Sequence, residues 1–269
     1  MRVVIEAKRK KHTQRHRKNV KRKGVNKRRT LRKVLHGGNT SGVNSSIDLP
    51  DSIKNLITHV VYINLDSRED RKNDMEDQLK VFNKGQVTRV PAVKDDKYPY
   101  IGCLKSHRDV LTLAKEKAWD NVLILEDDVH WQNVDKSYSI FEELVNKPYD
   151  VIMLGGTSPK FDDHTKKILE AKTSSAYLVK KSYYDTIINK INDILRYFES
   201  ELYSDKPINK EESANIHKKV AYDEAVYFPL QKADSWYIVY PPLMMQKKSF
   251  SDIEGQEVEY DKLYTKIDV

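Results

Sequence analysis

The chain has 269 residues, with 48 Lys and Arg against 40 Asp and Glu, a formal charge of +8. That length holds one large domain or two small ones, and 39% apolar residues are enough to bury a core. No apolar run approaches the ~18 residues of a membrane span, and the single cysteine, Cys103, excludes an internal disulfide or a multi-thiolate metal site.

The net charge hides a division. Residues 1–36 carry 16 basic residues and one acid, Glu6, so this arm holds +15 and the rest of the chain −7. Clusters such as Lys8-Arg9-Lys10-Lys11 and Lys27-Arg28-Arg29 repel one another and have little to bury, which predicts a disordered arm. Its charge suits nucleic acid, an anionic surface or an import receptor, although no aromatic residue is interleaved for base stacking. His36 to Gly42 reads as a flexible linker. The expected organisation is arm and linker over 1–46 and a folded body over 47–269. The N-terminal region lacks the apolar core of a secretory signal, so a cytoplasmic, reducing location is expected.

Ile57 to Leu65 (ITHVVYINL) is a β-branched strand that ends in Asp66-Ser67-Arg68. Ser67 and Asp70 have the spacing of a capping box, and Met75, Leu79 and Phe82 follow at helical spacing. A second helix is predicted over Gly102 to Trp119, with Leu104, His107, Leu111, Ala114 and Ala118 on one face. Val122-Leu123-Ile124-Leu125 is the short apolar run of a strand covered on both faces, and it stops at Glu126-Asp127-Asp128. A helix over Lys136 to Asn146 and a strand over Tyr149 to Leu154 come next. A strand over Ser175 to Val179, a helix over Ser182 to Tyr197 and a long polar loop over 199–219 follow. Trp236 to Tyr240 is a last strand before Pro241-Pro242. Strands alternating with helices predict an α/β domain with a largely parallel sheet.

In such sheets ligands bind beyond the carboxyl ends of the strands. Three successive carboxylates there repel one another unless a cation neutralises them. Strand alternation sends Glu126 and Asp128 to one side and Asp127 to the other. Mg²⁺ or Mn²⁺ takes one or two such carboxylates together with phosphate oxygens; the competing reading is an acidic turn.

The neighbouring motifs sharpen this choice. Val61-Tyr62-Ile63-Asn64-Leu65-Asp66, Arg68 and Arg71, Gly102-Cys103-Leu104-Lys105-Ser106-His107, and Leu125 to Val129 occur in the order found in family 25 glycosyltransferases. Ser175-Ala176-Tyr177-Leu178-Val179, Tyr222-Asp223-Glu224, Pro242-Leu243, Gln246 and Ser251-Asp252-Ile253 extend the resemblance over residues 58–254. That family includes lipopolysaccharide sugar transferases and collagen hydroxylysine galactosyltransferases. The resemblance implies a GT-A-type nucleotide-sugar-binding fold and inverting transfer of a hexose, galactose or glucose. The donor would be a UDP-sugar and the acceptor a hydroxyl of a lipid-linked glycan or a protein.

The resemblance also implies Mn²⁺ or Mg²⁺ on Asp128, Asp127 and Glu126. Donor contacts would fall on Asn64, Leu65, Arg68, Arg71, Ser106, His107, Glu126 and Asp127. Inversion requires a base that deprotonates the acceptor hydroxyl; Asp223 is the leading candidate and Glu224 the next. Each residue also has a plainer role. Asp223 fits a helix cap near Glu224, Arg68 and Arg71 a solvated first helical turn, His107 a hydrogen-bonded core histidine, and Cys103 a small buried hydrophobe. The stretch 199–219 has no counterpart in the family pattern, and Tyr183-Tyr184-Asp185 stands where small residues are expected; both bear on the acceptor. Lys/Asn/Ile-rich usage and the basic arm favour a large-virus chain. The rival function is a catalytically inactive transferase-fold protein that binds nucleic acid through its arm.

Overall fold

Short, β-branched apolar runs form the strands, and longer amphipathic segments cover them on both sides. In the computed structural model, residues 49–132 and 134–267 are described; the expected arm and linker over 1–46 lie outside them. The described part begins with α1 (Asp51–Leu56), β1 (Val60–Asn64), α2 (Glu69–Gln78), β2 (Val87–Pro91) and α3 (Pro99–Glu116). It continues with β3 (Asn121–Glu126), β4 (Val129–Trp131), α4 (Asp135–Val145) and β5 (Val151–Met153). Next come β6 (Thr157–Phe161), β7 (Ile168–Lys172), β8 (Ala176–Lys180), α5 (Tyr184–Tyr197), α6 (Lys210–Val220) and α7 (Phe228–Ala233). The last strands are β9 (Trp236–Ile238), β10 (Met244–Gln246), β11 (Ser249–Ser251) and β12 (Gln256–Val258).

Six strands make one sheet in the order β2-β1-β3-β8-β5-β9. β1 is parallel to β2 and β3, and β5 is parallel to β9, whereas β8 runs antiparallel to both β3 and β5. The expected α/β class with a mostly parallel sheet is therefore the one observed. Alternation along the strands feeds two cores. Val61, Ile63, Val122, Ile124, Tyr177 and Val179 pack with α3 and α5. Val60, Tyr62, Leu123, Leu125 and Leu178 pack with Ile53, Met75, Tyr138, Phe141 and Leu144 from α1, α2 and α4. Burial on both faces is why these strands read as unbroken apolar runs.

Three expectations are corrected. The capping box at Ser67 and Asp70 is not formed: Arg68 takes the cap position without a side-chain cap, and its guanidinium pairs with Asp70 at 2.9 Å. The helix expected from Gly102 starts at Pro99, whose fixed φ and missing N–H suit a first helical turn. The stretch 199–219 is not one loop. A π-helical turn spans Phe198–Leu202, and α6 carries a reciprocal cap in which Asn209 Oδ1 accepts from the Glu212 N–H and Glu212 Oε2 from the Asn209 N–H, both at 2.9 Å. α6 is mostly exposed, with Val220 its one fully buried residue, so its apolar periodicity is too faint to read.

Candidate active site

A cleft of about 510 Å³ opens at the carboxyl ends of β1, β2 and β3, where a parallel sheet places its ligands. Because β8 runs the other way, the residues that precede it, Thr173 and Ser174, reach the same end and line the cleft too. The Gly-Cys-x-x-Ser-His segment lies on the first turns of α3. Gly102 is required there, since a Cβ would come within 2.3 Å of the Val93 carbonyl oxygen. Ser106 ties the same loop to the helix: its Oγ accepts from the Val93 N–H at 2.8 Å and donates to the Gly102 carbonyl at 2.7 Å. With that approach fixed, Cys103 and His107, one helical turn apart, both line the cleft.

The three carboxylates fall on different partners. Asp127 accepts from Asn64 Nδ2 and Arg71 Nη1, each at 2.7 Å. Asn64 is fully buried and also receives Arg89 Nε at 2.9 Å, so it positions Asp127 and is not among the cleft-lining residues. Glu126 Oε1 accepts from Ser174 Oγ at 2.6 Å and lies 3.4 Å from His107 Nε2. Asp128 has weaker support, with Gln246 Nε2 at 3.4 Å and Arg71 Nη1 at 3.6 Å.

The electrostatics follow from these contacts. Burial, then the charge of Glu126, pushes the Asp128 carboxyl up to about 7. Burial also acts on Glu126, but His107, Ser174 and the charge of Arg71 outweigh it and hold that carboxyl below its ordinary value. Burial raises Asp127 despite its bonds to Arg71 and Asn64. Arg71 is the shared cation, and it also donates to Ser249 Oγ and the Phe250 carbonyl, each at 2.8 Å. It thereby ties the β11–β12 hairpin, whose Ser251 lines the cleft, to the acidic cluster.

His107 is buried as expected of a core histidine, yet it faces the cleft. Its Nδ1 shares a hydrogen bond with the Tyr177 hydroxyl at 2.8 Å, which shares another with the Tyr222 hydroxyl at 3.0 Å. Asp223 lines the cleft, and burial raises its carboxyl. Its Oδ2 accepts from the Thr173 N–H at 3.3 Å. A π-helical segment spans Tyr222–Tyr227 with Ala221 at its cap position, so Asp223 is not the cap that was its competing role. Thr173 is a β-branched residue held at φ +71°, a strained conformation of the kind concentrated at functional sites.

Of the other expected site residues, Leu65, Arg71 and Ser106 line the cleft. Arg68 does not; it pairs with Asp70 and Asp252. Glu224 pairs with Lys172 at 2.8 Å and is likewise not among the lining residues. Sequence reasoning did not single out Thr173, Ser174, Gln246 or Tyr222 as site residues: the first two depend on the reversed strand, Gln246 on the pairing of β10 with β4, and Tyr222 on the helical segment that follows α6. α6 also reaches the cleft: His217 stacks on Tyr100 with centroids 5.0 Å apart, and both line it.

The donor set fits a divalent cation. Glu126 and Asp128 offer hard oxygen ligands, Arg71 pairs with Asp127 and Asp128 but not with Glu126, and burial followed by the charge of Glu126 raises the Asp128 carboxyl. Among the described residues no helix is long and apolar enough to cross a membrane.

No family model matches the chain. No curated protein matches it either. Among solved structures it is similar to a glycosyltransferase involved in the glycosylation of the major capsid of PBCV-1, at 10% identity and a TM-score of 0.38, over 74% of this chain and 96% of that one. It is similar to A197 from STIV at 11% identity and a TM-score of 0.32, over 78% and 98% of the two chains. A third similar structure is the glycosyltransferase GlyE of Streptococcus pneumoniae TIGR4, at 8% identity and a TM-score of 0.33, over 68% of this chain and 45% of that one.

Proposed function

We propose that the chain is an inverting glycosyltransferase that moves a hexose from a UDP-sugar to an acceptor hydroxyl, with the cleft as its active site. The observation that carries this reading is the run of carboxylates Glu126, Asp127 and Asp128 at the carboxyl end of β3, with Arg71 against the last two and Asp223 lining the same cleft. The sheet, with one reversed strand among parallel ones, is in keeping with the GT-A-type arrangement that the motifs imply.

Glu126 and Asp128 would hold the divalent ion, with Asp127 braced beside them by Asn64 and Arg71. When bound, Mn²⁺ or Mg²⁺ supplies Lewis-acid neutralisation of the charge that develops on a leaving diphosphate. Arg71 contributes a fixed positive charge next to the same oxygens. Asp223 acts as the base: it takes the acceptor proton while the Thr173 N–H holds one of its oxygens in place. Burial brings its pKa closer to the working range than that of an exposed aspartate. The acceptor enters by the arm of the cleft under α6, where Tyr100 and His217 stack.

The test is a screen of UDP- and GDP-sugars with the full chain, reading donor hydrolysis and transfer with Mn²⁺ and with excess chelator. Turnover of a UDP-sugar that needs the ion supports the reading. Absence of turnover on every nucleotide sugar, or turnover indifferent to chelation, sinks it.

A further inference from the structure

We propose a second, thiolate-containing metal site in the cleft, formed by Cys103, His107 and Glu126 and suited to zinc or another borderline cation. Cys103 and His107 sit one turn apart on α3, and Glu126 meets them from the end of β3. One donor atom of each lies within 4.8 Å of the other two.

One pair has the spacing of ligands around an ion. His107 Nε2 and Glu126 Oε1 are 3.4 Å apart, long for a hydrogen bond. Two ligands at about 2.0–2.1 Å from a tetrahedral zinc ion stand roughly 3.3–3.4 Å from each other. The outer contacts are also those of a metal-binding imidazole. His107 Nδ1 is engaged by the Tyr177 hydroxyl at 2.8 Å, which fixes the ring, and Ser174 Oγ steadies the Glu126 carboxylate at 2.6 Å. All three ligands line the cleft, so an ion has a path in and a fourth position toward the cavity.

Chemistry separates this set from the carboxylate pair. Sulfur selects zinc or cobalt over magnesium and manganese. Binding converts the Cys103 thiol to a thiolate, its proton leaving to solvent, and the thiolate and carboxylate charges then offset the dication. Glu126 belongs to both donor sets, so the two ions compete for one carboxylate. The zinc site itself stands whether or not the cleft transfers sugar.

The experiment is a Co²⁺ titration of the full chain in a non-chelating buffer with a phosphine reductant. The expected result is one equivalent bound, with a near-ultraviolet thiolate-to-cobalt band that added Zn²⁺ bleaches. The chain has one cysteine, so the band reports Cys103 alone. Cys103→Ser should remove the band. Asp128→Asn should keep it, which separates this site from the carboxylate pair. Tyr177→Phe should keep the band and weaken cobalt affinity by ~10-fold or more; unchanged affinity would remove His107 from the donor set. A wild-type chain without the band, a band whose half-saturation tracks protein concentration as a cross-chain thiolate would, or loss of the band in Asp128→Asn overturns the site.

Discussion

Asp128→Asn is expected to stabilise the ion-free protein by an amount that grows above about pH 4 and is full at neutral and higher pH. The folded-state carboxyl stands at about 7 against an ordinary value of 3.8. A separation of about 3 units corresponds to about 4 kcal/mol at ~1.4 kcal/mol per unit. Part of this is not recovered, because the amide forgoes its attraction to Arg71 at 3.6 Å; about 2 kcal/mol is a reasonable net gain. For a folded region of this size that is roughly 4–8 °C in Tm. The sign follows from proton binding. Between about pH 4 and pH 7 the folded chain keeps a proton that the unfolded chain has released, so wild-type stability falls as pH rises through that window. The Tm difference between variant and wild type should open from near zero at about pH 4 and level off above about pH 7. Calorimetric melting across that range in chelator is the assay. A variant that melts lower at high pH, or one offset by the same amount at every pH, would refute the argument that Asp128 carries an uncompensated buried charge.

Three further outcomes are expected. Mn²⁺ at ~100 times its Kd should raise wild-type stability by about 2.7 kcal/mol, with Asp128→Asn gaining much less; equal gains in thermal melts would move the ion elsewhere. Asp223→Asn should lower transfer by ~10²–10⁴-fold while nucleotide affinity and Tm stay near wild type, because an amide oxygen still accepts from the Thr173 N–H; near-normal turnover would reject Asp223 as the base. Arg71→Ala removes the cation shared by Asp127 and Asp128 and unties the β11–β12 hairpin, so it should cost about 3–5 kcal/mol and speed limited proteolysis within 249–258.

The strands were legible where burial on both faces made them unbroken apolar runs, as in Val122 to Leu125 and Val60 to Ile63. The acidic cluster and the Gly-Cys-x-x-Ser-His turn were legible as motifs, since carboxylates at a strand end and a glycine at a helix start are local features. The partners of those residues were not. Nothing near Asp127 announces that Arg71 and Asn64 will take its oxygens, because both contacts cross more than fifty positions of chain. Arg68, two residues beyond the motif strand's Asp66, looked like an anion ligand but is taken up by Asp70 and Asp252. α6 escaped notice because its stability rests on a cap at Asn209 more than on an apolar stripe. The direction of β8 escaped it for a different reason: alternation reports which faces a strand buries, not which way it runs.

That reversed strand decides where this protein can change length without reaching the cleft. The segments that follow β1, β2 and β3 line the cleft, so additions there lengthen its walls and rim. At β8 the rule inverts. The segment entering the strand, Thr173 to Ser175, lies at the acidic cluster, whereas the one leaving it, at Lys181 to Tyr183, sits at the opposite end of the strands, beside the start of β3. A tag, a fused domain or an evolutionary insertion placed after β8 therefore arrives on the far side of the molecule from the cleft, and the same insertion a few residues before the strand would fall among the groups that hold Glu126 and Asp223.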